Sequence, residues 1–144
     1  MTEENTSNIE VPKFEVVVLG IIFDPKNKKV LIGKREDDPC IPDLSWCFPG
    51  GRCIPGEDVD KALKKAIKEK TGYDIKNLGA FFSETCPEKE DLIMIYFLTQ
   101  AFNGGEKLGE DIKELKWVNP KELDKYFTTS YHKKLKEFMD ELVS

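Results

Sequence analysis

The chain has 144 residues, of which 40% are apolar and 34% are charged, and its formal net charge at pH 7 is −5. This composition is typical of one globular domain that is long enough to bury a core. The negative charge argues against a nucleic-acid polymer as the main partner, because such a polyanion is bound mainly through lysine and arginine. No apolar run reaches the roughly 20 residues that a membrane-spanning helix needs.

The N-terminal segment is polar and acidic, which is unlike a secretory signal. We predict a disordered tail over residues 1–12 and one domain over residues 13–144. The cysteines are Cys40, Cys47, Cys53 and Cys86. They form no C-x2-C pair, so a zinc site is not expected, and reduced thiols in a cytoplasmic protein are the favoured interpretation. The spacing leaves a Cys47–Cys53 or a Cys40–Cys47 disulfide open.

The first third of the chain carries three strand patterns separated by turn residues. Residues 14–24 are apolar and rich in β-branched side chains, which favours a buried strand. Residues 25–28 have turn chemistry, so the segment 29–35 is predicted to pair with the first strand as a hairpin. A loop with two prolines covers residues 36–44, and residues 45–48 are predicted to form a short strand.

A loop followed by a helix is predicted over residues 50–73. A glycine pair, Gly50-Gly51, opens the loop, and a Pro-Gly dipeptide turns it. The helix is predicted over residues 58–70, with acidic residues at its start, which suits the helix dipole, and Gly72 at its end. Its apolar stripe consists of Val59, Ala62, Leu63, Ala66 and Ile67. A loop and charged helix of this kind can present carboxylates and backbone carbonyls to a metal-bound phosphate.

The second half of the chain is predicted to alternate strands with short helices. Residues 76–86, 92–102 and 114–118 are predicted strands. Residues 120–127 begin with a proline that suits the first position of a helical turn. An amphipathic helix follows from about residue 130, with Leu135, Phe138, Met139 and Leu142 on one face. This order of elements predicts an α/β (α+β) fold, in which a mixed sheet lies between helices.

The segment from Trp46 to Gly51, with the loop and helix that follow it, resembles the Nudix (MutT-like) hydrolase family. The family box is G-x5-E-x7-R-E-U-x-E-E-x-G-U, in which U is a bulky apolar residue. The matching positions in this chain are Gly51, Glu57, Ile67, Glu69, Gly72 and Tyr73. The preceding hairpin, the Glu114-x-x-Trp117 motif and the C-terminal helix also lie where the family has them. The resemblance therefore covers most of the chain and implies the Nudix fold.

The box departs from the family pattern at two places. Lys65-Ala66 stand where the family has Arg-Glu, and Glu69-Lys70 stand where it has Glu-Glu. Carboxylates at positions 66, 69 and 70 would share one helix face. There they would hold divalent cations that polarise a phosphoryl group and activate water. Since two carboxylates are lost and an ammonium is gained, the box is degenerate and tight binding of several metal ions is not expected.

The resemblance implies a remaining ligand set for Mg2+ or Mn2+. Glu69 would be the main metal ligand and catalytic residue, with the carbonyl of Gly50 beside it. Glu57 has two interpretations. It would either support the metal or pair with Lys65 and so hold the loop against the helix.

Charged residues outside this set are further candidates for the site. Glu110 or Asp111, in the acidic loop before the last strand, could supply another metal ligand, and we predict that Asp111 does so. The alternative is that this acidic loop is only solvated. Lys70 is either a surface lysine or a cation that neutralises a diphosphate directly. Arg52 and Arg35 flank the presumed site and could contact phosphate.

Several aromatic residues have positions that bear on the site. Trp46 and Trp117 lie in apolar strand contexts, so we expect both to pack in the core. The pairs Phe81-Phe82 and Tyr96-Phe97 alternate along strands, so one ring of each pair is expected to face a cleft and the other the core.

The function that the resemblance implies is hydrolysis of a phosphoanhydride bond. The substrate would be a nucleoside diphosphate linked to another moiety, attacked by water at phosphorus with the help of Mg2+ or Mn2+. The degenerate box predicts a slow enzyme. The alternative is a nucleotide- or diphosphate-binding regulatory protein that has the Nudix fold and does not hydrolyse its ligand. A homodimer is left open.

Overall fold

The computed structural model describes residues 11–35, 45–127 and 131–143. Its strands are β1 (Glu15–Asp24), β2 (Lys29–Arg35), β3 (Trp46–Cys47), β4 (Gly50–Cys53), β5 (Tyr73–Thr85), β6 (Leu92–Gly104) and β7 (Ile112–Val118). Its helices are α1 (Val59–Thr71), a 3-10 helix (Pro120–Lys125) and α2 (Lys133–Leu142). Among the described residues, no helix is both long and apolar enough to span a bilayer.

Strand β1 is the centre of the sheet because other strands pair with both of its edges. Strand β6 runs parallel to β1 along residues 15–22. On the opposite edge, β4 pairs antiparallel with residues 16–19, and β2 pairs with residues 23–24. Strand β5 lies beyond β6, and β3 and β7 flank β2. The start of α1 is therefore held next to the middle of the sheet, since it follows β4 directly.

Among the described residues, apolar side chains on the two faces of the sheet form the two larger core clusters. The cluster beneath α1 contains Val18, Ile22, Leu31, Ala62, Leu63, Ile67, Ile75 and Phe97. The cluster beneath the 3-10 helix and α2 contains Ile21, Val30, Ile32, Phe48, Tyr96, Val118, Leu123, Leu135 and Met139. The predicted fold class, a mixed sheet between helices, is confirmed.

Helix α1 has clear signals at both ends. The Asp58 carboxylate accepts a hydrogen bond of 3.0 Å from the backbone N–H of Lys61, and Gly72 ends the helix in the left-handed region with φ of 85°. Both are common capping arrangements. The predicted stripe is buried at Ala62, Leu63, Ala66 and Ile67. Val59, by contrast, is 39% exposed, because it lies in the first turn at the edge of the core.

The segment Gly50–Cys53 is a strand and not the loop that its two glycines predicted. A Cβ atom at Gly50 would lie 2.0 Å from the carbonyl oxygen of Val18. Glycine is required here because the backbones of β4 and β1 approach closely, which is a different use of glycine from that in a turn.

The aromatic pairs of β5 and β6 do not leave one ring of each pair facing a cleft. Tyr96 and Phe97 lie on opposite faces, and both are buried. In the register between the strands, Ala80 pairs with Phe97 and Phe82 pairs with Tyr96, so Phe81 is an extra residue in a bulge. Consequently Phe81 and Phe82 both pack against the same core cluster.

Trp46 and Trp117 pack against the two core clusters, as predicted. No disulfide bond joins Cys47, Cys53 or Cys86 to another of these three residues, so the Cys47–Cys53 pairing is not formed. Cys40 and most of the predicted N-terminal tail lie outside the described residues.

Candidate active site

Strand β4 places Gly51 against the middle of helix α1. A Cβ atom at Gly51 would lie 3.0 Å from the Cβ atom of Ala66, and only 9% of Ala66 is exposed. The alanine methyl group therefore fills the space between strand and helix. At this position the helix offers no polar atom to a ligand.

Glu57 holds the loop between β4 and α1 in place. Its carboxylate accepts a hydrogen bond of 3.2 Å from the backbone N–H of Ile54, and its own N–H donates to the carbonyl of Ile54 at 3.0 Å. Within the described part of the chain, no ion pair joins Glu57 to Lys65. The loop is thus held by bonds between Glu57 and the backbone of Ile54, and not by the pairing with Lys65 that was one of the two interpretations of Glu57.

Lys70, Asp111 and Arg35 form a compact charged cluster. Oδ2 of Asp111 lies 2.7 Å from Nζ of Lys70 and 3.0 Å from Nη2 of Arg35. Partial burial raises the pKa of Asp111, but the hydrogen bond from Lys70 and the charges of Lys70 and Arg35 outweigh it, so the pKa lies below its usual value. Asp111 is therefore an ionised carboxylate that already has two cations as partners.

Backbone hydrogen bonds bring Asp111 to Lys70. The N–H of Lys107 donates to the carbonyl of Thr71 at 2.8 Å, and the N–H of Gly109 donates to the carbonyl of Lys70 at 3.2 Å. These bonds satisfy carbonyl groups that the end of a helix leaves without partners. A Cβ atom at position 109 would lie 2.6 Å from the carbonyl oxygen of Glu69, so glycine permits this contact.

Glu69 differs from Glu57, the other glutamate that matches the family box, because it is exposed. Among the described residues, its carboxylate has no hydrogen-bond or ion-pair partner. Within the same residues, no three His, Cys, Asp or Glu side chains are placed to share a metal ion. The donor set therefore does not fit a resident cluster of several metal ions: Ala66 and Lys70 offer no carboxylate, and Asp111 is paired with cations.

The remaining predicted residues lie at different places. Gly50 is buried in β4 and pairs with Leu19. Arg52 is exposed and forms an ion pair with Glu15 at 3.2 Å. Successive residues of a strand point to opposite faces, and Cys53, the next residue, packs against the α1 core. Arg52 therefore lies on the face away from α1, whereas Arg35, Lys70 and Asp111 are brought together.

Sequence reasoning missed one polar group on that opposite face. Glu84 accepts a hydrogen bond of 3.1 Å from the hydroxyl of Tyr96, and burial raises the pKa of the Glu84 carboxyl. His132, at the start of α2, has its ring 4.9 Å from that of Phe82. The sequence signal was available: Phe82 and Glu84 are two residues apart in β5, and Cys86 follows two residues later, just after the strand, so the alternation puts the glutamate on the same side as two residues that pack in the core.

Comparisons with known proteins agree with this architecture. The sequence model of the NUDIX domain matches residues 13–142. An ADP-ribose pyrophosphatase of Methanocaldococcus jannaschii is 33% identical over 129 residues, which cover 86% of this chain and 72% of that protein. The nucleoside triphosphatase NudI of Escherichia coli is 26% identical over 113 residues, covering 67% of this chain and 77% of that protein.

A NUDIX hydrolase structure from Nitrosomonas europaea has the same fold, with a TM-score of 0.67 and 20% identity over 91% of this chain and 88% of that one. The chain belongs to the NUDIX domain family.

Proposed function

We propose that this protein is a Nudix-type pyrophosphohydrolase that acts on a nucleoside diphosphate linked to another moiety. The observation that carries the proposal is the retained unit of β4, the loop held by Glu57 and helix α1, which presents the exposed carboxylate of Glu69. Relatives named as an ADP-ribose pyrophosphatase and a nucleoside triphosphatase support hydrolysis over binding alone.

In the proposed reaction, water attacks a phosphorus atom and the bridging P–O bond breaks, so that the leaving phosphate keeps the bridging oxygen. Mg2+ or Mn2+ would enter as the counter-ion of the substrate phosphates, because Mg2+ is often bound through one or two carboxylates and the phosphates themselves. Glu69 is the proposed protein ligand, with Glu57 and the carbonyl of Gly50 in support. The Asp111 carboxylate is assigned to its ion pair instead.

Positive charge near this site would favour a phosphate. Lys70 and Arg35 place two cations beside the carboxylate of Asp111. Arg52 stays a candidate for contact with a part of the substrate that extends over the opposite sheet face, beside Glu15. With one exposed carboxylate in place of three, we expect slow turnover.

The experiment that tests the proposal is a hydrolysis assay with ADP-ribose, nucleotide sugars and nucleoside triphosphates in the presence of Mg2+ or Mn2+. Glu69→Gln should lower kcat/KM on the order of 100-fold, the size of effect seen when one electrostatic contact to the reacting group is removed. Glu137→Gln is the matched control, because it makes the same change at an exposed residue of α2.

Two outcomes would count against this assignment. Equal activity of Glu69→Gln and the unaltered chain would remove Glu69 from the site. Ligand binding without hydrolysis of any compound in the panel would favour the alternative, a regulatory binding protein.

We also propose a cytoplasmic location and a homodimer. Gel filtration with light scattering tests whether the protein is a homodimer.

A further inference from the structure

The ion pair of Lys70 and Asp111 joins elements that are distant in the sequence. Lys70 lies in the last turn of α1, Asp111 directly precedes β7, and Arg35 ends β2. We infer that the Lys70 ammonium is a built-in counter-ion for Asp111, which takes the place of a divalent cation between α1 and β7. The fold at this point therefore needs no metal ion.

The geometry of the cluster supports a permanent pairing. Both cations contact the same oxygen, Oδ2 of Asp111: Nζ of Lys70 donates a short, charge-assisted hydrogen bond of 2.7 Å, and Nη2 of Arg35 forms an ion pair at 3.0 Å. The side chains of Lys70 and Arg35 are 18% and 21% exposed, whereas that of Asp111 is 40% exposed. A divalent ion approaching Asp111 from solvent would face two positive charges behind the carboxylate, and like-charge repulsion would weaken its binding.

The backbone keeps Asp111 at this place. The hydrogen bonds from the N–H groups of Lys107 and Gly109 hold the loop on the end of α1. Asp111 follows Gly109 by two residues, so it cannot move far from Lys70 unless these bonds break. The preceding turn of the same helix face carries Ala66, whose methyl group packs near Gly51. That turn therefore supplies no carboxylate on this face that could bind a metal ion together with Asp111.

The inference concerns metal binding in the absence of substrate, and only its meaning for catalysis rests on the proposed function. The test compares the unaltered chain with Lys70→Glu, which would place two carboxylates where the ion pair is now. Mn2+ binding is measured by titration calorimetry and by electron paramagnetic resonance, and thermal unfolding is followed with Mn2+ and with EDTA. Lys61→Glu is the matched control, because it makes the same charge change about 180° around the same helix.

We expect the unaltered chain and Lys61→Glu to bind Mn2+ weakly and to have the same Tm in Mn2+ and in EDTA. Lys70→Glu should bind Mn2+ about 100-fold more tightly, since two or more carboxylate ligands become available. Its Tm should fall by several degrees in EDTA, because Glu and Asp repel each other, and rise again with Mn2+ by linkage.

A second variant keeps the test decisive if Lys70→Glu does not fold. Lys70→Gln removes the charge and keeps a hydrogen-bond donor toward Asp111, and it should bind Mn2+ about 10-fold more tightly than the unaltered chain, since one repelling charge is gone. Tight Mn2+ binding by the unaltered chain, or no gain in either variant, would overturn the inference. Because no substrate is present, an absence of hydrolytic activity leaves these outcomes unaffected.

Discussion

The pKa of the Glu84 carboxyl is raised above the ordinary value of a glutamate by its surroundings in the fold. Its carboxyl group lies on the side of β5 that carries the core, where the Tyr96 hydroxyl donates a hydrogen bond to it. Burial raises the pKa of Glu84, and the hydrogen bond from Tyr96 and the charge of His132 oppose this shift only in part. The folded protein therefore binds a proton at Glu84 more readily than the unfolded chain does.

This difference predicts a pH-dependent effect of Glu84→Gln. Ionisation of Glu84 destabilises the folded state as the pH rises from the unfolded value of 4.5 through the higher folded pKa. The neutral amide avoids this cost and can still accept the bond from Tyr96. At pH 8 we expect the variant to unfold about 1–2 °C higher than the unaltered chain, and the difference should disappear below pH 4.5.

Thermal unfolding followed by circular dichroism across this pH range checks the prediction. Glu90→Gln is the control, because it makes the same change at an exposed glutamate. A difference between Glu84→Gln and the unaltered chain that stays constant with pH would contradict the explanation.

At the scale of elements, β4 determines where the loop and helix of the site begin. It pairs with β1 through four residues, and its glycine at position 50 allows the two backbones to approach. Gly51 then contacts Ala66 of α1. The position of the helix therefore depends on a strand of only four residues.

Gly50→Ala is expected to destabilise the protein strongly. The added Cβ atom would meet the Val18 carbonyl oxygen at 2.0 Å, and neither backbone can yield easily. We expect a loss of about 3 kcal/mol in the free energy of unfolding, the upper end of the usual cost of overpacking. Gly105→Ala is the control, since a Cβ atom there meets nothing within 4 Å. Urea denaturation measures both, and equal stabilities would refute the proposed close approach.

At the scale of the whole molecule, the C-terminal helix α2 covers the core cluster that contains Ile21 and Tyr96. Leu135 and Met139 of α2 are buried against residues from several strands, and Phe138 stacks on Phe81 with ring centroids 3.8 Å apart. Elements from both ends of the sequence thus share one core. The stability of the fold should depend on this helix as much as on the central strands.

Met139→Ala tests this dependence. Met139 is fully buried, so its truncation should lower the free energy of unfolding by about 2–5 kcal/mol, through lost burial and the cavity that remains. Glu137→Ala changes an exposed residue of the same helix and should have little effect. If urea denaturation gave both variants the same small loss, α2 would not be an integral part of the core.

Much of the fold could be predicted because its signals are local. The apolar, β-branched run of β1 and the capped, amphipathic pattern of α1 each extend over consecutive residues, and the bounds agree within one residue. The glycines of β4 are ambiguous locally, since the same residue suits a turn and a close backbone contact. The bulge at Phe81 could not be predicted from the sequence either, because it depends on the register between β5 and β6.

The sequence by itself determined the family, the order of most elements and the loss of two carboxylates from one helix face, because these properties depend on residue type and spacing. The pairing of Lys70 with Asp111 was decided only by the tertiary structure. These residues are 41 positions apart, and their contact depends on how the loop before β7 docks on the end of α1. The resemblance to the family made Asp111 a candidate metal ligand, whereas the folded chain makes it the partner of two cations.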